Sequence, residues 1–171
     1  MNQMQEARIE KVTLNIGSGK DQTRLDKGVM LLKAITGIEP IKTVTQKRIA
    51  AWGLRPGLPI GCKITLRKKQ AIEVLKRLLE AKENLLEERY FDELGNISFG
   101  LKEYIDIPGV KYDPKIGIIG LQVCVTLQKP GYRIKYRVQK KKKIPRKHQV
   151  NKKEAIDFMQ KSFGVKMGVE A

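Results

Sequence analysis

The sequence predicts an α+β domain in which helices cover one face of a largely antiparallel sheet, with a basic C-terminal extension. Two patterns predict this fold: strand-like alternation and helix-like spacing of apolar residues follow one another as strand, helix, strand, strand, helix, strand, strand. Length is the third observation, since 171 residues suffice for one core without disulfides or metals. We therefore expect a single domain over residues 1–171.

The first three elements are a strand, a helix and a second extended segment. Residues 8–16, RIEKVTLNI, alternate between apolar and polar side chains, as half-buried strands do. The sequence GSGK at 17–20 then turns the chain into a helix, for which Asp21 is the expected N-cap and Gly37 the terminator. Residues 41–49 are expected to be extended, but their pattern leaves open which side chains face inward.

The middle of the chain repeats this order. Residues 60–67 predict a strand with Cys62 in the core, and residues 68–86 predict a helix. The apolar stripe expected on that helix consists of Ile72, Leu75, Leu78 and Leu79. Residues 96–105 and 121–128 predict two more strands, the second with a clean alternation that puts Cys124 on its polar side.

The C-terminal part divides into a basic segment and a helix. Residues 129–150 contain a Pro-Gly turn and a run of lysines, and we expect them to be extended. Residues 151–164 predict a helix with Asn151 as N-cap, Glu154 three residues later and Gly164 as terminator.

Charge is the strongest indication of function in the composition. The chain carries 35 Lys and Arg against 18 Asp and Glu, a formal net charge of +17. Such a surplus repels itself unless a polyanion neutralises it, which favours nucleic-acid binding over an ordinary solvated surface. No Asp or Glu occurs from residue 114 to residue 153, whereas residues 80–93 are rich in acids. One side of the molecule is therefore expected to avoid the polyanion.

The predicted sheet has a polar face without carboxylates. If the helices cover the apolar face, the other face carries hydroxyls, amides and cations, which suit phosphate oxygens, ribose hydroxyls and exposed bases. A solvated sheet face would more often include Asp and Glu. The side chains expected on this face are Thr13, Asn15, Lys63, Thr65, Arg67, Gln122, Thr126 and Gln128.

The lysine run at 140–143 belongs to a basic arm suited to phosphates. Lysines supply affinity that is independent of sequence, so binding through this arm is expected to weaken strongly with salt. The residues of the basic arm expected to contact nucleic-acid phosphates are Arg133, Lys135, Arg137, Lys140, Lys141, Lys142, Lys143, Arg146 and Lys147.

Other classes of function have little support. The GSGK turn lacks the P-loop spacing, because Leu14 stands where a Gly is needed and Asp21 where Ser or Thr is needed. The only histidine, His148, and two distant cysteines predict no metal site. No catalytic constellation is apparent, so we expect no enzyme, no catalytic residue and no cofactor. The lack of a signal peptide and of an 18-residue apolar run predicts a soluble, cytosolic protein without membrane contact.

Several segments together resemble one protein family. These segments are KVTLNIGSG at 11–19, AITGIEPIKT at 34–43, GLRPGLPIGCKITLR at 53–67 and GNISFGLKEYI at 95–105. They closely resemble the ribosomal protein five family of the large subunit, whose members carry 5S rRNA. The sequences at 112–125 and 144–159 resemble the archaeal and eukaryotic branch, with the archaeal members favoured. The resemblance covers essentially the whole chain in order.

This resemblance implies an RRM-like sheet and a place in the central protuberance of the cytoplasmic ribosome. There the sheet would hold 5S rRNA and help attach it to the large-subunit rRNA. The implied 5S rRNA contacts are Thr13, Asn15, Lys47, Arg48, Lys63, Thr65 and Arg67. The family's loop to P-site tRNA corresponds to Ala51, Trp52, Gly53, Leu54, Arg55, Pro56, Gly57, Leu58 and Pro59. A loop near residues 108–115 would face a small-subunit protein in an intersubunit bridge.

Two alternatives remain open at the level of sequence. The only tryptophan, Trp52, lies in the Gly/Pro-rich loop and either packs on the core as a lid or takes part in the loop's contacts. The alternative function is a free-standing nucleic-acid chaperone or chromatin-like binder. Such a protein would bind duplex DNA and unrelated RNA nearly as well as 5S rRNA.

Overall fold

The computed structural model describes residues 2–168, so residues 1 and 169–171 of the expected domain lie outside the described part. The strands are β1 (Arg8–Gly17), β2 (Ile41–Val44), β3 (Pro59–Leu66), β4 (Leu85–Glu87), β5 (Ile97–Leu101), β6 (Leu121–Gln128) and β7 (Lys166–Gly168). The helices are α1 (Gln22–Thr36), α2 (Lys68–Glu80), α3 (Arg133–Tyr136) and α4 (Lys152–Phe163).

The main sheet has five strands in the order β2-β3-β1-β6-β5. Every neighbouring pair in it is antiparallel. The short strands β4 and β7 form a separate parallel pair. The expected α+β fold with a largely antiparallel sheet is therefore confirmed, and β1 lies at the centre of the sheet.

The helices cover one face of this sheet, as predicted. A single apolar cluster joins Leu14 of β1 to Leu32 of α1, Leu75 of α2 and Met159 of α4, all of them buried. Burying a side chain of this size contributes roughly 1.5–3 kcal/mol relative to leaving it exposed. The opposite face of the sheet is consequently left without covering helices over most of its area.

The ends of α1 agree with the prediction. The Asp21 carboxylate Oδ1 accepts hydrogen bonds from the backbone N–H groups of Thr23 at 2.9 Å and Arg24 at 3.3 Å. Hydrogen bonds to this carboxylate lower the pKa of Asp21, and that from the Thr23 hydroxyl has the largest effect. Gly37 ends the helix with a φ of 72°, a left-handed conformation that glycine adopts without strain.

The second helix differs from its prediction in two respects. Ile72 is 41% exposed and lies outside the core, because α2 is rotated so that Ala71 and Val74 are buried beside Leu75. The helix also ends at Glu80 and not at residue 86. The chain turns there through Glu83 and Asn84, both with positive φ, and enters β4.

Two strands are shorter than the sequence predicts. Only residues 41–44 of the segment 41–49 form a strand, and β5 ends at Leu101 and not at residue 105. In both cases the chain leaves the sheet for a loop whose backbone bonds within itself. The Ile49 amide, for example, donates to the Leu54 carbonyl at 3.1 Å.

The basic segment 129–150 is not extended throughout, which corrects the prediction. It contains the single helical turn α3 and a 3₁₀ turn at Arg146–His148. The tyrosines at the two ends of this turn tether it to the domain: the Tyr132 hydroxyl donates to the His148 carbonyl at 3.3 Å, and the Tyr136 hydroxyl donates to Glu10 Oε1 at 3.0 Å. In the sequence the two tyrosines lie within a run of Lys and Arg, which favoured the prediction of an extended segment.

The last helix agrees with its prediction. The backbone N–H of Asn151 donates to Glu154 Oε2 at 3.1 Å, and Gly164 ends α4 with a φ of 65°. Among residues 2–168, no helix has both the length and the apolar character needed to cross a bilayer.

Candidate nucleic-acid interface

The open face of the sheet carries polar side chains in rows that run across the strands. In one row, Asn15 of β1 lies between Lys63 of β3 and Gln122 of β6. Asn15 Nδ2 donates to Gln122 Oε1 at 3.1 Å, which fixes both amides. Gly100 of β5 pairs with Gln122 and ends this row. At its other end Lys63 pairs with Ile41 of β2, which is 69% exposed. The row therefore presents an apolar side chain, one cation, two ordered amides and a stretch of bare backbone.

A second row lies directly beside the first. Thr13 of β1 pairs with Thr65 of β3 and Cys124 of β6, and Cys124 pairs with Ser98 of β5. The hydroxyl oxygens of Thr13 and Thr65 are 3.5 Å apart, and Ser98 Oγ donates to Cys124 Sγ at 3.6 Å. Neither row contains a carboxylate. Together they form a surface of hydroxyl and amide groups that can bond to phosphate or ribose oxygens.

The two cysteines have opposite environments, as expected. Cys62 is completely buried against the helices, and burial raises its pKa to about 11, slightly opposed by the nearby Lys42. Cys124 is half-buried on the polar face. Both thiols are free.

Arg67 lies at the end of the polar face and is partly engaged by the protein. Its Nη1 is 3.6 Å from Glu10 Oε1 and 3.4 Å from the Glu10 carbonyl oxygen. Glu10 is buried in a bulge of β1, where the register shifts between Ile9 and Lys11. The Tyr136 hydroxyl donates a hydrogen bond to the same carboxylate oxygen. The pKa of Tyr136 is raised, mainly by burial and secondly by this hydrogen bond. Strand alternation places Glu10 on the inward side of β1 with Val12, but the sequence gives no sign of the bulge or of the Tyr136 contact that accommodates a carboxylate there.

The predicted tRNA loop is an ordered excursion between β2 and β3. The Thr45 amide donates to the Leu58 carbonyl at 2.9 Å, and the Gly57 amide donates to the Thr45 carbonyl at 2.8 Å. Pro59 is the first residue of β3, so the loop ends one residue earlier than expected. The loop also includes Lys47 and Arg48, which are exposed but lie beyond β2 and not on the sheet face.

The tryptophan lies at the tip of this loop, with its side chain in solvent. A short 3₁₀ helix, Ala50–Trp52, leaves the Trp52 side chain 67% exposed, so it is not a lid on the core. Leu54 takes the inward position and is only 6% exposed. Arg55 is exposed as well. A Cβ on Gly53 would lie 3.8 Å from Lys20 Cδ, so the side chain of Lys20 in the GSGK turn reaches the loop. Lys20 thus adds a cation that is not among the residues predicted for the loop.

The loop at residues 108–115 is held by its own contacts. The Asp113 amide donates to the hydroxyl of the buried Tyr104 at 3.0 Å, and Asp113 Oδ1 accepts from the Lys115 amide at 2.9 Å. Ile116 anchors its far end in the core. Tyr112 and Lys115 are exposed on this fixed loop.

The basic arm presents all of its predicted cations to solvent. Each of the nine predicted Lys and Arg side chains is exposed. The arm is held at both ends: Ile144 is buried, and the buried Lys129 ammonium is 2.7 Å from Glu154 Oε2 and 3.1 Å from the Gln149 carbonyl oxygen. It is therefore a positioned cationic surface and not a loose tail.

Within residues 2–168, no group of three or more His, Cys, Asp or Glu side chains is arranged to hold a metal ion. Several carboxylates instead form ion pairs with cations, as Asp26 does with Lys42 at 2.9 Å. The arrangement offers hydrogen bonds and positive charge to a polyanion, and this combination defines a nucleic-acid-binding protein.

The comparisons with known proteins identify the family. Residues 2–55 match the family model described as ribosomal protein L5, and residues 59–158 match the model for the C-terminus of the same ribosomal family. The chain is 47% identical to the large ribosomal subunit protein uL5 of Sulfolobus acidocaldarius, over 96% of this chain and 92% of the relative. It is also 47% identical to that of Nanoarchaeum equitans (96% and 97% covered) and 45% identical to that of Methanococcus vannielii (98% and 94% covered).

The chain belongs to the ribosomal protein L5 family, in its archaeal form. The resemblance inferred from the sequence segments is thus confirmed. Members of this family are non-enzymatic constituents of the large ribosomal subunit, associated with rRNA and with other ribosomal proteins in the cytoplasmic ribosome.

Proposed function

We propose that the open face of the five-stranded sheet binds 5S rRNA and so helps attach it to the central protuberance. The observation that carries this proposal is the pair of rows around Asn15 and Thr13, which span four strands without a carboxylate. Hydroxyls and ordered amides supply directional hydrogen bonds, while Lys63, Arg67 and the basic arm supply charge. Such a surface suits the backbone of a structured RNA.

The test compares two exposed lysines, one on the polar face of the sheet and one in the last turn of α1. Lys63→Glu inverts a charge on the polar face, whereas Lys33→Glu makes the same inversion on exposed α1. Lys63→Glu should weaken binding to isolated 5S rRNA by about tenfold or more, while Lys33→Glu should have a much smaller effect. Equal losses would mean that only net charge matters and would defeat the sheet-face assignment. Arg67 is left unchanged, since its removal would also free the buried Glu10.

We propose that the loop from Ala51 to Leu58 contacts P-site tRNA. Its internal hydrogen bonds and the inward Leu54 support a fixed loop that holds Trp52 and Arg55 in solvent. The double variant Trp52→Ala, Arg55→Ala leaves Leu54 in place. It should retain 5S rRNA binding and reduce P-site tRNA affinity of reconstituted large subunits joined to small subunits. Loss of 5S rRNA binding in a folded variant would reassign the loop to the 5S interface.

We propose that the loop at 108–115 faces a small-subunit protein in an intersubunit bridge. The exposed Tyr112 on a loop fixed by Tyr104 supports a protein contact, because aromatic side chains are enriched at such interfaces. Tyr112→Ala should weaken subunit joining without changing 5S rRNA affinity. Unaltered subunit joining in light-scattering assays would remove this contact from the proposal.

A competition experiment separates this function from that of a free-standing nucleic-acid chaperone. A 5S rRNA-binding protein should retain its labelled 5S rRNA in the presence of excess duplex DNA or unrelated RNA. A general binder would release it in proportion to the competing phosphate, because its affinity resides in charge alone.

A further inference from the structure

A cavity of about 380 Å³ lies between the basic arm and the adjacent end of the sheet. Its walls come from Leu94 and Asn96 before β5, from Thr126 at the end of β6, and from Tyr132 and Ile144 of the arm segment. The size falls within the range of pockets that hold small ligands. Its wall shares Thr126 with the polar side of β6, so the cavity continues the open face of the sheet.

We propose that this cavity receives one unstacked nucleotide of the bound RNA, with a guanine base inside and its phosphate at the rim. The proposal rests on the function proposed above and adds a specific subsite to it. Proteins that read RNA by sequence commonly accept single splayed-out bases, which stack on aromatic or apolar walls and bond through their edges.

The apolar walls suit the faces of a base. Leu94 is 56% exposed and lines the cavity opposite the arm. The Tyr132 ring is held in place by its hydroxyl, which donates to the His148 carbonyl at 3.3 Å, and by the His148 ring at 6.0 Å between centroids. A fixed aromatic ring binds a base at a lower entropic cost than a mobile one.

The charges at the cavity suit a nucleotide more than a peptide of mixed charge. Lys135, Lys143 and Arg146 line it and are exposed, so a phosphate at the rim has three cations within reach. Glu10 is the one carboxylate among the lining residues. An acidic peptide would place its own carboxylates against Glu10, whereas a nucleobase would present N–H groups to it.

Glu10 also favours one base over the others. Its Oε1 is occupied by Tyr136 and Arg67, while Oε2 has no hydrogen-bond partner within residues 2–168. A carboxylate oxygen accepts only, so Oε2 selects an edge with N–H donors. Guanine presents two adjacent donors, N1–H and the 2-amino group, whereas uracil flanks its single N–H with two carbonyl oxygens that repel a carboxylate. Guanine is therefore the preferred base.

The test uses the full chain with nucleoside monophosphates as probes, followed by NMR or calorimetry. GMP should bind at least about tenfold more tightly than UMP and shift resonances at residues 94–96, 126–127 and 144–149. Leu94→Trp fills the cavity and should abolish GMP binding, while Leu85→Trp, at an exposed leucine of β4, should not. Glu10→Gln keeps an acceptor for Tyr136 and should reduce the preference for GMP over UMP to less than about twofold.

The same variants distinguish the cavity proposal from the proposal that the open face of the sheet binds 5S rRNA. Leu94→Trp should weaken 5S rRNA binding by about tenfold, the effect of one lost stacked base. If it binds 5S rRNA normally while Lys63→Glu does not, the cavity proposal is overturned and the sheet proposal remains. GMP binding without shifts at the cavity, or stronger binding of an acidic peptide than of GMP, would also overturn it. Loss of GMP and 5S rRNA binding in a folded Leu94→Trp variant, with normal 5S rRNA binding by Lys63→Glu, supports the subsite and contradicts the sheet assignment.

Discussion

The Lys129 ammonium and the Glu154 carboxylate form an ion pair, 2.7 Å apart, that ties the end of β6 to the start of α4. Lys129 is only 4% exposed, whereas the side chain of Glu154 is 43% exposed. The ion pair therefore matters more to the stability of the charged lysine than to that of the charged carboxylate. The lysine has lost its water and needs the carboxylate, but the carboxylate can be solvated when the lysine is absent.

This inequality predicts different costs for removing each partner. Glu154→Ala leaves a buried cation bonded only to the Gln149 carbonyl and should reduce the free energy of unfolding by about 1–3 kcal/mol, less than for a fully buried pair. Lys129→Met removes the charge and keeps most of the volume, so it should cost less. Urea denaturation of both variants and of the double variant measures this. An equal cost for the two single changes would show that the pair behaves as a surface ion pair.

The same pair predicts a pH dependence of stability. Burial alone would raise the pKa of Glu154, but hydrogen bonds from Lys129 and from the Asn151 amide outweigh it and lower the pKa. A carboxyl whose pKa is lower in the folded state adds stability above its ordinary value of 4.5 and loses it as the pH falls through the folded-state pKa. The wild type should therefore be more stable than Glu154→Gln at neutral pH, and this advantage should disappear in acid. A constant difference in urea midpoints between about pH 7 and about pH 3 would contradict the linkage.

The two thiols should react at very different rates. Cys62 is buried with a pKa raised to about 11, so little thiolate forms at neutral pH, while Cys124 lies half-buried on the polar face. A maleimide should modify Cys124 first and Cys62 only after unfolding. Mass spectrometry of the labelled peptides gives the rates, with Cys124→Ser as the control. If 5S rRNA covers this face, it should also slow labelling of Cys124; unchanged labelling in the complex would leave the face uncovered.

Two glycines of the sheet should respond in opposite ways to a methyl group. A Cβ on Gly61 would lie 2.7 Å from the Ile16 carbonyl oxygen, whereas a Cβ on Gly100 would have nothing within 4 Å. Gly61→Ala should therefore cost about 1–3 kcal/mol. Gly100→Ala should be neutral or stabilise by roughly 0.5–1 kcal/mol, because alanine loses less backbone entropy on folding. Thermal unfolding of the two variants compares them directly, and a stable Gly61→Ala protein would contradict the packing around β3.

Truncation of Trp52 and of Leu54 should have very different effects on stability. Trp52→Ala removes an exposed side chain and should change stability by less than about 0.5 kcal/mol. Leu54→Ala empties a buried position and should cost about 2 kcal/mol or more. Tryptophan fluorescence provides an independent readout, since acrylamide should quench an exposed indole efficiently in the native protein. A shielded indole would return Trp52 to the core.

Most of the fold follows from local patterns in the sequence. Asp21, Gly37 and Gly164 mark helix ends because capping depends on a few adjacent residues. The polar rows follow from strand alternation once the helices cover the other face. The rotation of α2 that exposes Ile72 does not follow, since an amphipathic helix with several apolar residues can turn slightly without loss of burial.

The candidate site could be predicted in part for the same reason. Thr13, Asn15, Lys63 and Thr65 come together because their strands pair in register. Lys47 and Arg48 lie off the sheet, since β2 ends at Val44. The buried Glu10 and the cavity beside the arm depend on a bulge and on contacts between residues far apart in sequence, such as Glu10 with Tyr136. Local patterns contain no signal for such contacts.

The parallel pairing of β4 with β7 governs when the molecule can be completed during its synthesis. Leu86 of β4 is fully buried, and its strand partner Met167 is translated about eighty residues later. Until that late strand emerges from the tunnel of the translating ribosome, β4 has an unpaired edge, and such edges invite association with other nascent chains. The main sheet, by contrast, has all its strands once Gln128 is synthesised. The surface proposed for RNA can thus assemble while the molecule is still growing, and a bound RNA would then hold the unfinished domain until its last strand arrives.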